Sequence, residues 1–264
     1  MNVEAILGVN ITQFLLSFAR ASGLIVAAPV FQSRSIPMQV KALLAGVLAA
    51  TTAAYVSSDL DLEKFSFWMA VVTLIQEVLT GIIIGLMINL PMYAFQLAGY
   101  FFDVPMGFGM VNIIDPQSGT EMPLMGHFNY IFACLIFLAI NGHHSVIMAL
   151  IRSYELIKPG MFFLRKEAVG VFLQAFSGMF YLGFKIGIPL IGSIFLADVA
   201  LGVISKLIPQ INVFIVGFPV KILLGIFIII VFLPTYVFLI EQSFANSGDT
   251  YRMLRLMLQN LYVK

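Results

Sequence analysis

Long apolar runs joined by short polar connections dominate this chain, and almost none of the runs alternates. Val78–Phe102, Leu124–Ile151 and Ile222–Ile240 contain no Asp, Glu, Lys or Arg at all. About 20 such residues in a helix cross a ~30 Å hydrocarbon core. The pattern predicts spans over 10–32, 42–58, 65–102 (two passes, or one broken helix), 124–151, 168–205 and 207–240. Helices are the expected spanning element, because in lipid the backbone must satisfy its own hydrogen bonds. The period-2 alternation of an outer-membrane barrel is missing. The expected fold is therefore an all-α integral membrane protein.

The runs are poor candidates for simple lipid-facing helices. Pro29, Pro91, Pro189, Pro209, Pro219 and Pro234 interrupt or border them, and each removes a backbone donor and invites a kink. A multi-helix bundle of Pro- and Gly-broken helices and helical hairpins follows, with no flexible linker, so 1–264 reads as a single domain. From Asp249 onward the pattern changes to a short amphipathic helix. Asp249 is placed as its N-cap, Leu254, Met257, Leu258 and Leu261 share one face, and Arg252, Arg255 and Gln259 share another. Such a tail (249–264) suits a bilayer surface or a docking partner. The likeness of Ile25–Val30 (IVAAPV) to Ile215–Val220 (IVGFPV) is expected by chance in so apolar a chain.

Composition sharpens the class. Hydrophobic residues make up 61% of the 264 and charged residues 10%, against roughly 25% charged in an ordinary globular domain. The first 30 residues do not read as a cleavable signal, since no Lys or Arg precedes Arg20 and Glu4 sits where a basic region belongs. The single cysteine, Cys134, rules out an internal disulfide framework and reads as a small core side chain. A formal net charge of +1 gives no electrostatic case for nucleic acid.

The polar connections carry a sign pattern. Arg34 and Lys41 make the first positive, and Asp59, Asp61, Glu63 and Lys64 make the second negative. Arg152, Lys158, Arg165 and Lys166 outweigh Glu155 and Glu167 in 152–167, while 103–122 holds Asp103, Asp115 and Glu121 and no cation. The positive-inside rule places 33–41, 152–167 and the C-terminal tail in the cytoplasm and 103–122 outside.

Candidate chemistry is sparse. Arg20, Glu77, Lys185, Asp198, Lys206 and Lys221 lie within or at the ends of apolar runs. Each costs about 2.5–3.5 kcal/mol at a helix centre, so they are read as buried charges for helix pairing or subunit contacts, in preference to a proton relay. His143 and His144 are adjacent, hence on different helix faces, and with His127 they make a poor chelating set; polar packing at a helix break near Asn141-Gly142 is expected instead, with no metal. Gln210 and Asn212 suit the capping of carbonyls freed after Pro209. No Gly-rich phosphate loop, paired carboxylates or Ser/Cys–His arrangement can be placed, so no cofactor and no enzyme activity are expected.

The segment Met106-Gly107-Phe108-Gly109-Met110 is the main functional candidate. Its glycines free the backbone, its methionines adapt to irregular surfaces, and an apolar constriction can block ions by dewetting. From the residues alone an ordinary turn after a span, with Met and Phe buried, is the favoured reading, and it is the resemblance described below that favours a plug. Asp115-Pro116-Gln117-Ser118-Gly119 beyond it has turn chemistry.

Four ordered blocks carry a resemblance: Ala19–Phe31 with Ile36-Pro37, Gln96–Gly119, Phe137–Gly160 and Leu201–Ile226. Together they cover nearly the whole chain and resemble the bacterial flagellar export-gate family FliR and its injectisome relatives; the block PQINVFIVGFPVK is closer to the flagellar branch. The resemblance implies a non-enzymatic subunit of the bacterial inner membrane, assembled with FliP and FliQ beside FlhB at the flagellar basal body. It implies a larger helical gate that passes unfolded export substrates, with 103–123 as a plug-like loop. A small-molecule secondary transporter is the alternative from another class, which broken helices and midplane charges also suit. No inverted repeat supports it, and an apolar Met/Phe/Gly loop selects no polar solute. The injectisome branch remains a second alternative.

Overall fold

The computed structural model describes residues 11–56, 66–108, 123–210, 212–244 and 248–262. Among them every extended element is helical: α1 (Ile11–Ala27), α2 (Met38–Thr52) with a 3-10 turn (Ala53–Tyr55), α3 (Phe67–Met106), α4 (Leu124–Ala139), α5 (Gly142–Leu156), α6 (Lys166–Leu207), α7 (Val213–Phe244) and α8 (Asp249–Asn260). By length and hydropathy α2 with its turn, α3, α6 and the stretch containing α7 can each cross a membrane, as can α4 and α5 if they count as one broken span. The chain is an all-α, multi-pass membrane protein. Glu4, the acidic connection 59–64, Gly109, Met110 and the turn 115–119 lie outside the described residues.

Pro91 was expected to break the 65–102 run or divide it into two passes. Instead, α3 is one continuous helix of 40 residues that contains Pro91 and Pro105. Proline forbids one backbone bond but not helical dihedrals. Around Pro91 the loss is met by packing, with Met87, Leu90, Met92, Ala94 and Phe95 all buried. α6 (42 residues) likewise runs through Pro189, and α7 (32 residues) through Pro219 and Pro234. At 1.5 Å per residue, α3 and α6 measure about 60 Å along the chain, twice the ~30 Å of a hydrocarbon core.

The chain separates into two compact units: Met1–Leu90 with Leu138–Phe176 and Ser243–Lys264, and Pro91–Phe137 with Ser177–Gln242. The divisions fall inside helices, which is why no linker composition marks them. In the first unit α1 buries Leu16, Ala19, Arg20, Gly23 and Leu24, a stripe at helical spacing. It meets α2 through that helix's small residues Ala45, Ala49 and Thr52. α1 also lies against α3 at backbone distance. A Cβ on Gly23 would press on the Val78 carbonyl, one on Gly81 on the Arg20 carbonyl, and one on Gly85 would stand 2.8 Å from the Ala27 Cβ. Gly81-Ile-Ile-Ile-Gly85 is thus a small-xxx-small seam of the kind that lets membrane helices touch. Asn89 Nδ2 donates to the Ala27 carbonyl at 3.1 Å beside it.

α8 completes this unit. Leu254, Met257, Leu258 and Leu261 are buried while Arg252, Arg255 and Gln259 are exposed. The Phe163 N–H donates to the Leu261 carbonyl at 3.0 Å. The tail's apolar face therefore docks on the chain itself, and it is Gly248, one residue before Asp249, that occupies the N-cap. Asp249 sits in the first turn, where a carboxylate favours the helix dipole.

The second unit packs around aromatics. Phe95 meets Tyr236 edge-on (5.4 Å) and Phe101 stacks on Phe184 (4.5 Å). Gly183 lies 3.1 Å, measured from an ideal Cβ, from the Ala94 carbonyl, and Gly187 lies 3.4 Å from the Phe101 ring. A second small-xxx-small pair therefore seats α6 on α3.

Candidate functional site: loop root and charged pairs

Arg20 and Glu77 come together although 57 residues separate them. Their side chains are 0% and 1% exposed, and Arg20 Nε donates to Glu77 Oε2 at 2.7 Å. Arg20 Nη1 donates to Ser153 Oγ (2.9 Å) and Nη2 to the Ile157 carbonyl (3.1 Å). The second Glu77 oxygen accepts the Gly160 N–H at 3.2 Å, and the guanidinium carbon stands 4.1 Å above the Tyr154 ring centroid. The pair thereby fastens α1 to α3 and to the C-terminal end of α5. Gly160, at φ 75°, turns the chain so that its N–H meets the carboxylate. Each polar hydrogen-bonding direction used here is met by a protein partner, the condition under which a buried ion pair is tolerated.

The other four charges lie differently. Lys221 pairs with Asp198 between α7 and α6, with side chains 18% and 43% exposed. Lys185 and Lys206 were grouped with the buried charges, but within this chain both are exposed. For Lys185 the reason is angular. Gly183 and Gly187 face α3, and Lys185, two residues from each at ~100° per residue, points to the opposite side. It stands near the middle of α6, beside the exposed Tyr181, Phe184 and Ile188. Lys206 lies in the last turn of α6, where a cation favours the helix dipole.

The root of the candidate loop is described as far as Phe108. Met106 is fully buried, and its thioether end fills the space over Gly225 of α7, 2.7 Å from an ideal Cβ there to the sulfur. Gly107 has φ 96° and abuts the Phe218 ring. α3 therefore ends on a glycine in the left-handed region, as helix C-termini commonly do, and Phe108 follows half-buried. Across the loop, Asp103 is buried and its Oδ1 accepts the Met125 N–H at 3.1 Å, a carboxylate cap on the first turn of α4. Close by, a Cβ on Gly99 would stand 2.5 Å from the Gly126 Cα.

His143 and His144 follow the break at Asn141 (φ 59°), their rings 4.3 Å apart, and His127 is exposed. No group of three or more His, Cys, Asp or Glu positioned for a metal occurs among the described residues. Sequence reasoning overlooked the seams Gly81–Gly85 and Gly183–Gly187, whose small-xxx-small spacing was the available signal. It also missed Ser153 and Gly160 as partners of the ion pair, for which no local pattern exists.

These features define a polytopic membrane protein built by close glycine-mediated helix contact, with charges on its apolar helices and no recognisable catalytic group among the described residues. The sequence pattern of the family described as bacterial export proteins, family 1, matches residues 11–247. The chain belongs to that family. It is similar to the flagellar biosynthetic protein FliR of Bacillus subtilis (strain 168), at 33% identity over 91% of this chain and 93% of that protein. FliR of Escherichia coli (strain K12) is 30% identical over 86% of each chain. The secretion system apparatus protein SsaT of Salmonella typhimurium is 28% identical over 71% of each.

Proposed function

We propose that this protein is a non-enzymatic subunit of a type III protein-export gate, of the flagellar kind, in the bacterial inner membrane at the flagellar basal body. It assembles with FliP and FliQ, beside FlhB, and unfolded flagellar proteins pass through the assembly. The carrying observation is the near full-length similarity to flagellar FliR proteins. The structure supports it through two helices of about 60 Å whose apolar surface is far from covered by the chain itself. Trp68 and Val104 of α3 and Phe195, Leu196 and Leu207 of α6 are each more than half exposed. A free bilayer helix needs half that length, whereas a subunit of a larger helical assembly needs both the length and the uncovered faces.

In this reading Met106–Met110 is the plug. Met106 and Gly107 form its root, held against Gly225 and Phe218, and Phe108, Gly109 and Met110 supply the seal. Lys185 and Lys206 are cations for subunit contacts, and Arg20–Glu77 and Lys221–Asp198 are pairs within the chain. The experiment is co-expression with the genomic neighbours, purification in mild detergent and native mass spectrometry. The expected result is one large complex with a single copy of this chain and several copies of two small membrane proteins. A monomer or homodimer in the presence of expressed neighbours would overturn the reading. Deleting 108–110, which spares the buried Met106, should make the assembled complex conduct small ions, and unchanged permeability would remove the plug assignment.

A further inference from the structure

A cleft of about 520 Å³ opens between α5 and α8 in the first unit, lined by Arg152 and Glu155 on one wall, Tyr251, Arg252 and Arg255 on the other, with Ala149, Leu156, Leu254 and Leu258. Three guanidiniums and one carboxylate give it a net charge of +2. All four charged side chains are exposed, and none of them takes part in an ion pair among the described residues. Arg252 and Arg255 are one helical turn apart and so project side by side, facing Arg152 across the opening. An excess of positive charge of this kind attracts an anion. Guanidinium forks match phosphate oxygens in two-point geometry.

The rest of the lining is apolar, and so is its margin, where Met148 of α5 and Leu256 of α8 are exposed. A small free anion has no use for that surface, but an amphiphile does. The chain enters the bilayer as a multi-pass protein, and the positive-inside assignment puts 152–167 and the tail at the cytoplasmic leaflet, the side rich in anionic lipid. We infer that the α5–α8 cleft binds the phosphate headgroup of an anionic phospholipid, with the first acyl carbons over Leu156, Met148 and Leu256. The lipid would hold α8 against α5 from the time of insertion. The inference requires membrane insertion but not the export role, so the two readings fail separately.

The test is native mass spectrometry of the full chain, alone and co-expressed with its neighbours, in detergent supplemented with phosphatidylglycerol, phosphatidylcholine or inorganic phosphate. The wild type should retain phosphatidylglycerol in preference to phosphatidylcholine. Each of R152Q, R252Q and R255Q should weaken retention about five-fold, and the triple variant roughly a hundred-fold, at ~1 kcal/mol per cation near an anionic headgroup. A charge-matched R34Q/K41Q/K166Q variant should retain it as the wild type does, which separates a site from a general loss of charge. Should the triple variant misfold, as judged by size-exclusion elution, the single variants decide. Equal retention of both lipids, equal retention by wild type and variants, or displacement of lipid by millimolar phosphate would each overturn the proposal. So would cross-linking of an acidic protein segment to Arg255 with no lipid bound.

Discussion

Arg20 and Lys185 are both cations set in membrane-grade helices, and the fold treats them in opposite ways. Arg20 is wholly enclosed by its own chain, with a carboxylate, a hydroxyl, a carbonyl and an aromatic face around it. Lys185 stands on the side of α6 that the chain leaves uncovered, among exposed aromatics. The same cost of placing charge in an apolar run is thus met internally in one case and left to the surroundings in the other. The first arrangement builds the subunit. The second leaves a cation on a face that the chain does not cover.

That contrast can be broken most forcefully at Glu77. E77A leaves the Arg20 guanidinium buried without its counter-charge, and removing one member of a buried pair costs about 3–5 kcal/mol. Thermal unfolding in detergent should show a large loss, and a shift within error would mean that Arg20 is satisfied by other groups. Next in size is G81A, which drives a methyl into the Arg20 carbonyl where neither backbone can yield. Overpacking of this kind costs about 1–3 kcal/mol, read in the same assay. G225A is its foil, because the atom it meets is the flexible end of Met106. It should cost under about 1 kcal/mol yet disturb the loop root, so increased ion leakage with near-normal stability is expected. Comparable melting losses for the two glycine variants would show that Met106 is as rigid as backbone.

The smallest effect on folding belongs to K185E. An exposed substitution should change stability by no more than about 0.5 kcal/mol, while recovery of the co-expressed complex should fall sharply and K185R should restore it. Normal assembly with K185E would place Lys185 in water and remove it from the subunit contacts.

Much of the architecture was legible because hydropathy alone separates membrane helices from their connections, as the runs that became α3, α4 with α5, and α6 illustrate. The continuity of α3 was not, since proline's local penalty is visible in sequence and the packing of Met87, Met92 and Phe95 that offsets it is not. The six charges could be picked out as costly, but pairing Arg20 with Glu77 depends on a crossing of α1 and α3 far apart in sequence. That crossing had a readable trace in Gly81-x-x-x-Gly85. The tail's amphipathic face was plain in its heptad-like spacing, but what it covers is set by Phe162 and Phe163 meeting Leu261 and Tyr262, a pairing across almost a hundred residues. For the candidate plug, the sequence offered a motif, and the described structure reaches only its root.

The hydrogen bond from the Met125 N–H to Asp103 has a mechanical consequence. It holds the end of α3 beside the first turn of α4, so the two ends of the chain between Asp103 and Met125 are fixed independently of what lies between them. Closing such a loop grows more costly only logarithmically with its length. If the loop is the plug proposed above, residues added or removed between those ends should therefore change ion leakage long before they change whether the protein folds.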